Sequence, residues 1–173
     1  MGKTETEKSP LQQAAENLFN FAIDRTDIKG VMRGLHEEAD IKRHTVEYEL
    51  PLLKIITVGW SISYFINHTP YKNELSKIYW NAIQEFSQGL SETTELMAGK
   101  NIDYFQIIKD RLNMYVDAMN KNPDAREPAV VIGPEFAATC GNREDVFTVM
   151  TGSRLFIATA GSVKSYLEEV KLR

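Results

Sequence analysis

The chain has 173 residues, 43% hydrophobic and 25% charged, which is the size and make-up of one soluble globular domain that can bury its own core. Its formal charge is −4 and its pI about 5.5, so the summed field repels phosphate backbones and anionic headgroups and argues against a nucleic-acid partner. The single cysteine, Cys140, excludes an intramolecular disulfide, and the opening MGKTETEKSP has no apolar signal-peptide core; a reducing, cytoplasmic setting is expected.

Residues 1–8 form a polar tail, predicted disordered, ahead of a single helical domain over 9–173. Ser9, Pro10 and Gln12 supply an N-cap, a first-turn proline and the return bond of a capping box, with Leu11, Ala15, Leu18 and Ala22 on one stripe of a helix that ends near Asp24. A second helix is predicted from Thr26 through Ala39 on the spacing of Ile28, Val31, Met32 and Leu35, weakened by Gly30 and Gly34. Residues 45–50 alternate polar and apolar like a short strand, although helix or an extended lead-in to Pro51 suits the context better.

The segment from Leu50 to Ile66, LPLLKIITVGWSISYFI, is apolar on every side of a helix and carries one charge, Lys54. It is shorter than the roughly 20 residues of a membrane span and holds a lysine, so it reads as a core helix, begun by Pro51 and wrapped by amphipathic neighbours. Leu75, Ile78, Tyr79, Ala82, Phe86, Leu90 and Met97 then mark a long helix ending near Gly99. Asp103 and Gln106 start another, with Phe105, Ile108, Leu112, Tyr115 and Met119 at steps of three and four. A proline-bearing linker, 122–128, precedes the last third.

There the pattern is ambiguous. Ala129 to Ile132 is an apolar run that Gly133-Pro134 should stop, and Glu135 to Cys140 should form one or two helical turns ended by Gly141. Residues 146–151 and 155–159 are rich in β-branched side chains around Thr-Gly-Ser and would suit a hairpin. Alternatively, 155–170 forms one helix whose Ala158, Ala160, Gly161 and Ser162 admit a close neighbour; this reading is preferred. The expected fold is therefore a mainly α single-domain bundle of about six helices around a buried central one. The alternative is α+β, with a small sheet from 45–50, 129–132, 146–151 and 155–159.

On a continuous second helix, His36, Asp40, His44 and Glu47 fall in one quadrant. His36, Asp40 and His44 are thus the candidate metal ligands, although the quadrant spans about 16 Å and an ion there would need ligands from elsewhere, such as His68. The same residues also suit a solvated, salt-bridged flank, and neither a paired Glu-x-x-His nor a His-Glu-x-x-His signature occurs. Ser61 lies in Gly-Trp-Ser-Ile-Ser, which lacks the second glycine of a nucleophile elbow, and should be a core serine bonded to a backbone carbonyl. Cys140, near a helix C-terminus, should be a buried inert thiol, and Glu135 should complement a helix dipole. Asn67-His68-Thr69 matches a glycosylation acceptor that lacks an export signal. No Gly-rich phosphate loop is present, and Arg33, Lys42, Arg43, Lys109 and Arg111 are scattered among acids, unlike a helix-turn-helix reader.

Trp60, Tyr64 and Phe65 on the central helix, with Tyr79, Trp80 and Phe86 on the next, would line an apolar pocket or simply fill the core. The expected function is a non-catalytic interaction or regulatory protein that self-associates or binds a protein partner, with no membrane span and an undetermined cofactor. The alternatives are a metal-binding bundle and an apolar small-molecule binder or enzyme.

Overall fold

In the computed structural model, which describes residues 6–172, Ser9 opens the first helix as its surroundings predict. Its hydroxyl accepts the Gln12 amide hydrogen bond at 3.2 Å, and the Gln12 side chain accepts from the Ser9 amide at 3.0 Å. With Pro10 leading, this starts α1 (Pro10–Ile23), which buries Ala14, Ala15, Leu18 and Ala22. Residues 6–8 are irregular and exposed; the rest of the predicted tail, 1–5, lies outside the described residues, as does Arg173.

The second predicted helix is shorter than its periodicity suggests. α2 (Thr26–Arg33) ends at Gly34, and residues 34–42 form a loop instead of continuing to Ala39. Polar groups of that loop find partners at the far end of the chain. The Asp40 amide donates to Asp145 at 3.0 Å, the Asn142 side chain donates to the Asp40 carboxylate at 3.2 Å, and the His36 ring stacks on Phe147 at 4.5 Å. A continued helix would forgo these bonds to extend a segment already weakened by two glycines.

α3 (Arg43–Phe65) is the central helix. It packs against all six of the others and buries every residue from Leu52 to Gly59, as expected of a helix apolar all round. It starts earlier than predicted, so 45–50 is helical and Pro51 lies within it. An interior proline costs about 3 kcal/mol. Burial of Leu50, Leu52, Leu53, Ile55 and Ile56, at about 1.5–3 kcal/mol per large aliphatic side chain, outweighs that. The carbonyl left without its amide donor belongs to Glu47, an exposed residue.

α4 (Lys72–Ala98) ends on Gly99 in the left-handed conformation at φ 64°, and α5 (Tyr104–Lys121) begins with the Asp103 carboxylate accepting from the Gln106 amide at 3.0 Å. Both follow their sequence signals. In the last third the preferred helix over 155–170 and the turns 135–140 ended by Gly141 are present, but the expected breaks are not. α6 (Ala129–Cys140) runs straight through Gly133-Pro134, and α7 (Val146–Glu169) is one helix across Thr151-Gly152-Ser153. No strand occurs among the described residues, so the sheet alternative is not realised.

The glycines that looked like breakers are sites of close helix approach. A Cβ on Gly133 would stand 2.2 Å from Ser153 Oγ and 2.9 Å from the Val149 carbonyl oxygen, and one on Gly152 would meet Phe136 at 2.5 Å. Of the predicted small-residue contact only Ala160 is buried, and Ala158, Gly161 and Ser162 are exposed. α7 is also long and apolar enough to cross a membrane by length and composition alone, yet one side of it is buried against α3 and α6.

Candidate functional site

Two ion pairs fix how α3 sits among its neighbours. The Lys54 ammonium donates to Asp27 at 2.8 Å and to the Asp24 carbonyl at 2.7 Å, and it lies 4.4 Å from the centre of the Phe21 ring. Glu49, equally buried, receives both arms of Arg111 at 2.8 and 3.0 Å. The first pair ties α3 to the start of α2, the second to α5.

The α3 side bearing Tyr48, Pro51, Leu52 and Ile55 borders a cavity of about 260 Å³ between α1, α2, α4 and α5. Spaced at three and four residues, these four share a face. Ala22 and Ile23 at the end of α1, Ile28 of α2, Phe86 and Leu90 of α4 and Ile108 of α5 complete an apolar wall. Ser87 also lines it, but its hydroxyl donates to its own helix at the Ile83 carbonyl, 2.7 Å away.

The polar groups that remain are Arg25, Tyr48 and Tyr104. Arg25 occupies the link between α1 and α2, is exposed, and has no ion-pair or side-chain hydrogen-bond partner among the described residues. The neighbouring carboxylates are engaged. Asp24 accepts from the Thr26 amide and hydroxyl at 2.9 and 2.8 Å, and Asp27 holds Lys54. The Tyr104 hydroxyl lies 3.4 Å from Thr94 Oγ1. Burial, then the charge of Glu49, push the Tyr48 phenol above its usual range, so at neutral pH it is an O–H donor. Among the described residues no Asp, Glu, His, Cys or Lys lines the cavity. Such walls can hold and orient a molecule, but they bring no recognisable general base or activated nucleophile to it.

The residues singled out from the sequence lie elsewhere. His36 and Asp40 are in the 34–42 loop and His44 is exposed in the first turn of α3, so the shared helix that grouped them does not exist. Among the described residues no group of three or more His, Cys, Asp or Glu could hold a metal ion. The six aromatic residues also separate. A Cβ on Gly59 would stand 2.2 Å from Trp80 Cζ2, so the indole fills the space between α3 and α4, while the Tyr79 hydroxyl donates to the Ile55 carbonyl at 2.7 Å. Trp60 and Tyr64 stack at 4.7 Å and, with Phe65, border a broad open depression that includes His68 and Lys164. Phe86 alone of the six borders the cavity between α1, α2, α4 and α5.

Ser61 is buried, but its hydroxyl has no hydrogen-bond partner among the described residues, against the expected carbonyl bond. Glu135 lies within α6, not at its start, and pairs with Arg143 at 2.6 Å. Cys140 is buried and free; burial, then Glu49, push its thiol up to about 12 despite Arg111, which makes it an inert thiol at neutral pH. Comparison with known proteins finds no family model, curated protein or solved structure that matches the chain.

Proposed function

We propose that this protein binds a small, mainly apolar molecule in the cavity between α1 and α5, without transforming it. The observation that carries this reading is an apolar hollow of about 260 Å³ whose polar groups are confined to Arg25, Tyr48, Tyr104 and an internally bonded Ser87. Ligand sites are typically of this kind, mostly apolar with a few orienting polar groups, although this one is at the small end. The acidic composition and the single inert thiol favour a soluble binding protein in a reducing compartment.

The test is calorimetric titration with a panel of neutral molecules of six to ten heavy atoms, including 1-octanol and cyclohexanol. A Leu90→Trp variant serves as control, because Leu90 is part of the wall yet partly exposed, so a larger side chain can obstruct the hollow without overfilling the core. Saturable binding that Leu90→Trp abolishes supports the reading. Absence of saturable binding across the panel, or binding that the variant leaves intact, overturns it.

A second reading, self-association, is favoured by one specific observation. Val146, Met150 and Ile157 are 63%, 43% and 55% exposed and fall within about 40° of one another around α7. An uncovered apolar stripe suits a second copy of the chain. Sedimentation of the wild type against a Met150→Glu/Ile157→Glu variant tests it. A dimer that the variant dissociates supports the reading, and a wild-type monomer at 100-fold varied concentration removes it.

A further inference from the structure

The polar groups of the cavity share a character that its apolar walls do not reveal. Arg25 carries the sole formal charge among the lining residues, and Tyr48 and Tyr104 add two hydroxyl groups able to donate. The nearby carboxylates are already committed, Asp24 to Thr26, Asp27 to Lys54 and Glu49 to Arg111. In a chain with a net charge of −4, the polar groups of the lining itself are thus one cation and hydroxyl groups able to donate, a set that favours a negative head group. Building on the binding function proposed above, we infer that the ligand is a medium-chain monocarboxylate, with its hydrocarbon tail against Ala22, Leu52, Ile55 and Phe86 and its carboxylate at the Arg25 rim.

A guanidinium presents two parallel N–H groups that match the two oxygens of a carboxylate, and phenol hydroxyls supply further charge-assisted bonds. Arg25 is free to turn to such a head group because no side chain among the described residues holds it. The volume sets the length of the tail. At roughly 30 Å³ for each water-sized group, about 260 Å³ accommodates about nine heavy atoms, so a chain of six to eight carbons fills it with the head at the mouth. Each methylene added up to that length should tighten binding about fourfold, and the gain should stop once the hollow is full.

Calorimetry on the full chain at pH 7 with octanoate, 1-octanol and octylammonium tests the head group at constant tail. Octanoate is expected to bind at least tenfold tighter than octanol, with octylammonium the weakest of the three. Arg25→Gln should bring octanoate down to near the octanol level while changing octanol far less, with circular dichroism and a urea melt verifying that the variant is folded. Tyr104→Phe should weaken octanoate more than octanol. In a butanoate-to-dodecanoate series, affinity should rise to eight carbons and then level off. Octanol binding as tightly as octanoate, or Arg25→Gln leaving octanoate unaffected, overturns the carboxylate assignment while the apolar cavity remains a binding site. Failure of all three probes to bind removes both.

Discussion

Gly152 and Gly161 lie nine residues apart in α7, and the same substitution at each should shift stability in opposite directions. A Cβ at Gly152 would stand 2.5, 2.7 and 2.8 Å from Cδ1, Cγ and Cβ of Phe136, a side chain with no solvent exposure. Normal carbon contacts lie at about 3.5–4.0 Å, and the Phe136 Cβ moves only with its backbone, so rotating the ring cannot relieve the overlap. α6 and α7 must move apart by about 1 Å. Overpacking of this kind costs about 1–3 kcal/mol, and the rigid neighbour puts Gly152→Ala at the upper end. Alanine recovers about 1 kcal/mol through its greater helix propensity, leaving a net loss of about 2 kcal/mol. Gly161 has nothing within 4 Å of its would-be Cβ, so Gly161→Ala should gain about 0.5–1 kcal/mol. Urea denaturation with the midpoint and slope measured separately reads both, and in a domain of this size each kcal/mol shifts Tm by about 2–4 °C. A Gly152→Ala protein as stable as wild type, or shifted in the same direction as Gly161→Ala, would refute the close crossing of α6 and α7.

Arg111→Met should cost about 3–5 kcal/mol because it strands the Glu49 carboxylate, whose side chain is 5% exposed, whereas a joint Glu49→Met/Arg111→Met change should recover more than half of that in urea melts. Lys54→Met, by contrast, should alter stability by less than about 1.5 kcal/mol, since its partner Asp27 is 41% exposed and returns to water. Burial raises the Asp145 carboxyl, but bonds from Thr148 and from the Asp40 amide outweigh it and hold the group below its usual range. Its contribution is therefore present above about pH 4 and is lost as pH falls through the lowered folded value. The stability gap between wild type and Asp145→Ala should be about 1–2 kcal/mol at pH 7 and should shrink below pH 4 in paired urea titrations. With its thiol pushed up to about 12, Cys140 should be alkylated by iodoacetamide at pH 8 about three orders of magnitude more slowly in the native protein than in urea, as followed by intact mass.

The parts of the fold legible in the sequence are those governed by local chemistry. Ser9 and Asp103 cap helices through side chains three residues from their targets, and the Leu50 to Ile66 run is buried from Leu52 to Gly59, although Tyr64 near its end is 58% exposed. What misled was local chemistry overridden by partners far along the chain. Gly34 ended α2 because the loop after it bonds to Asp145 and Asn142, more than 100 residues away. Gly133-Pro134 and Gly152 resembled breakers because a sequence does not show that two helices will touch there. The cavity was illegible for the same reason. Its walls come from five helices and a link, the helices contributing mostly ordinary apolar residues, and Tyr48 registered only as part of an alternation. Arg25 offered one faint signal, a cation in a two-residue link between helices with acids on both sides, but nothing local marks its guanidinium as unpartnered.

A helix apolar on every side has no hydrophobic reason to prefer one rotation about its axis, which is the problem α3 poses. Its two buried charges resolve it. Glu49 and Lys54 are five residues apart, hence about 140° apart around the helix, and each pairs with one opposite charge, Arg111 on α5 and Asp27 at the start of α2. Turning α3 by even one residue would part both pairs and leave charges buried without partners, an outcome far costlier than repacking aliphatic side chains. Tyr48, Pro51, Leu52 and Ile55 fall on the wider arc between the two charged positions, the arc that borders the cavity. The ion pairs add little net stability beyond what a well-packed apolar pair would give. Their contribution is to orient α3, so that of all the faces an apolar helix could offer the hollow, this one is presented.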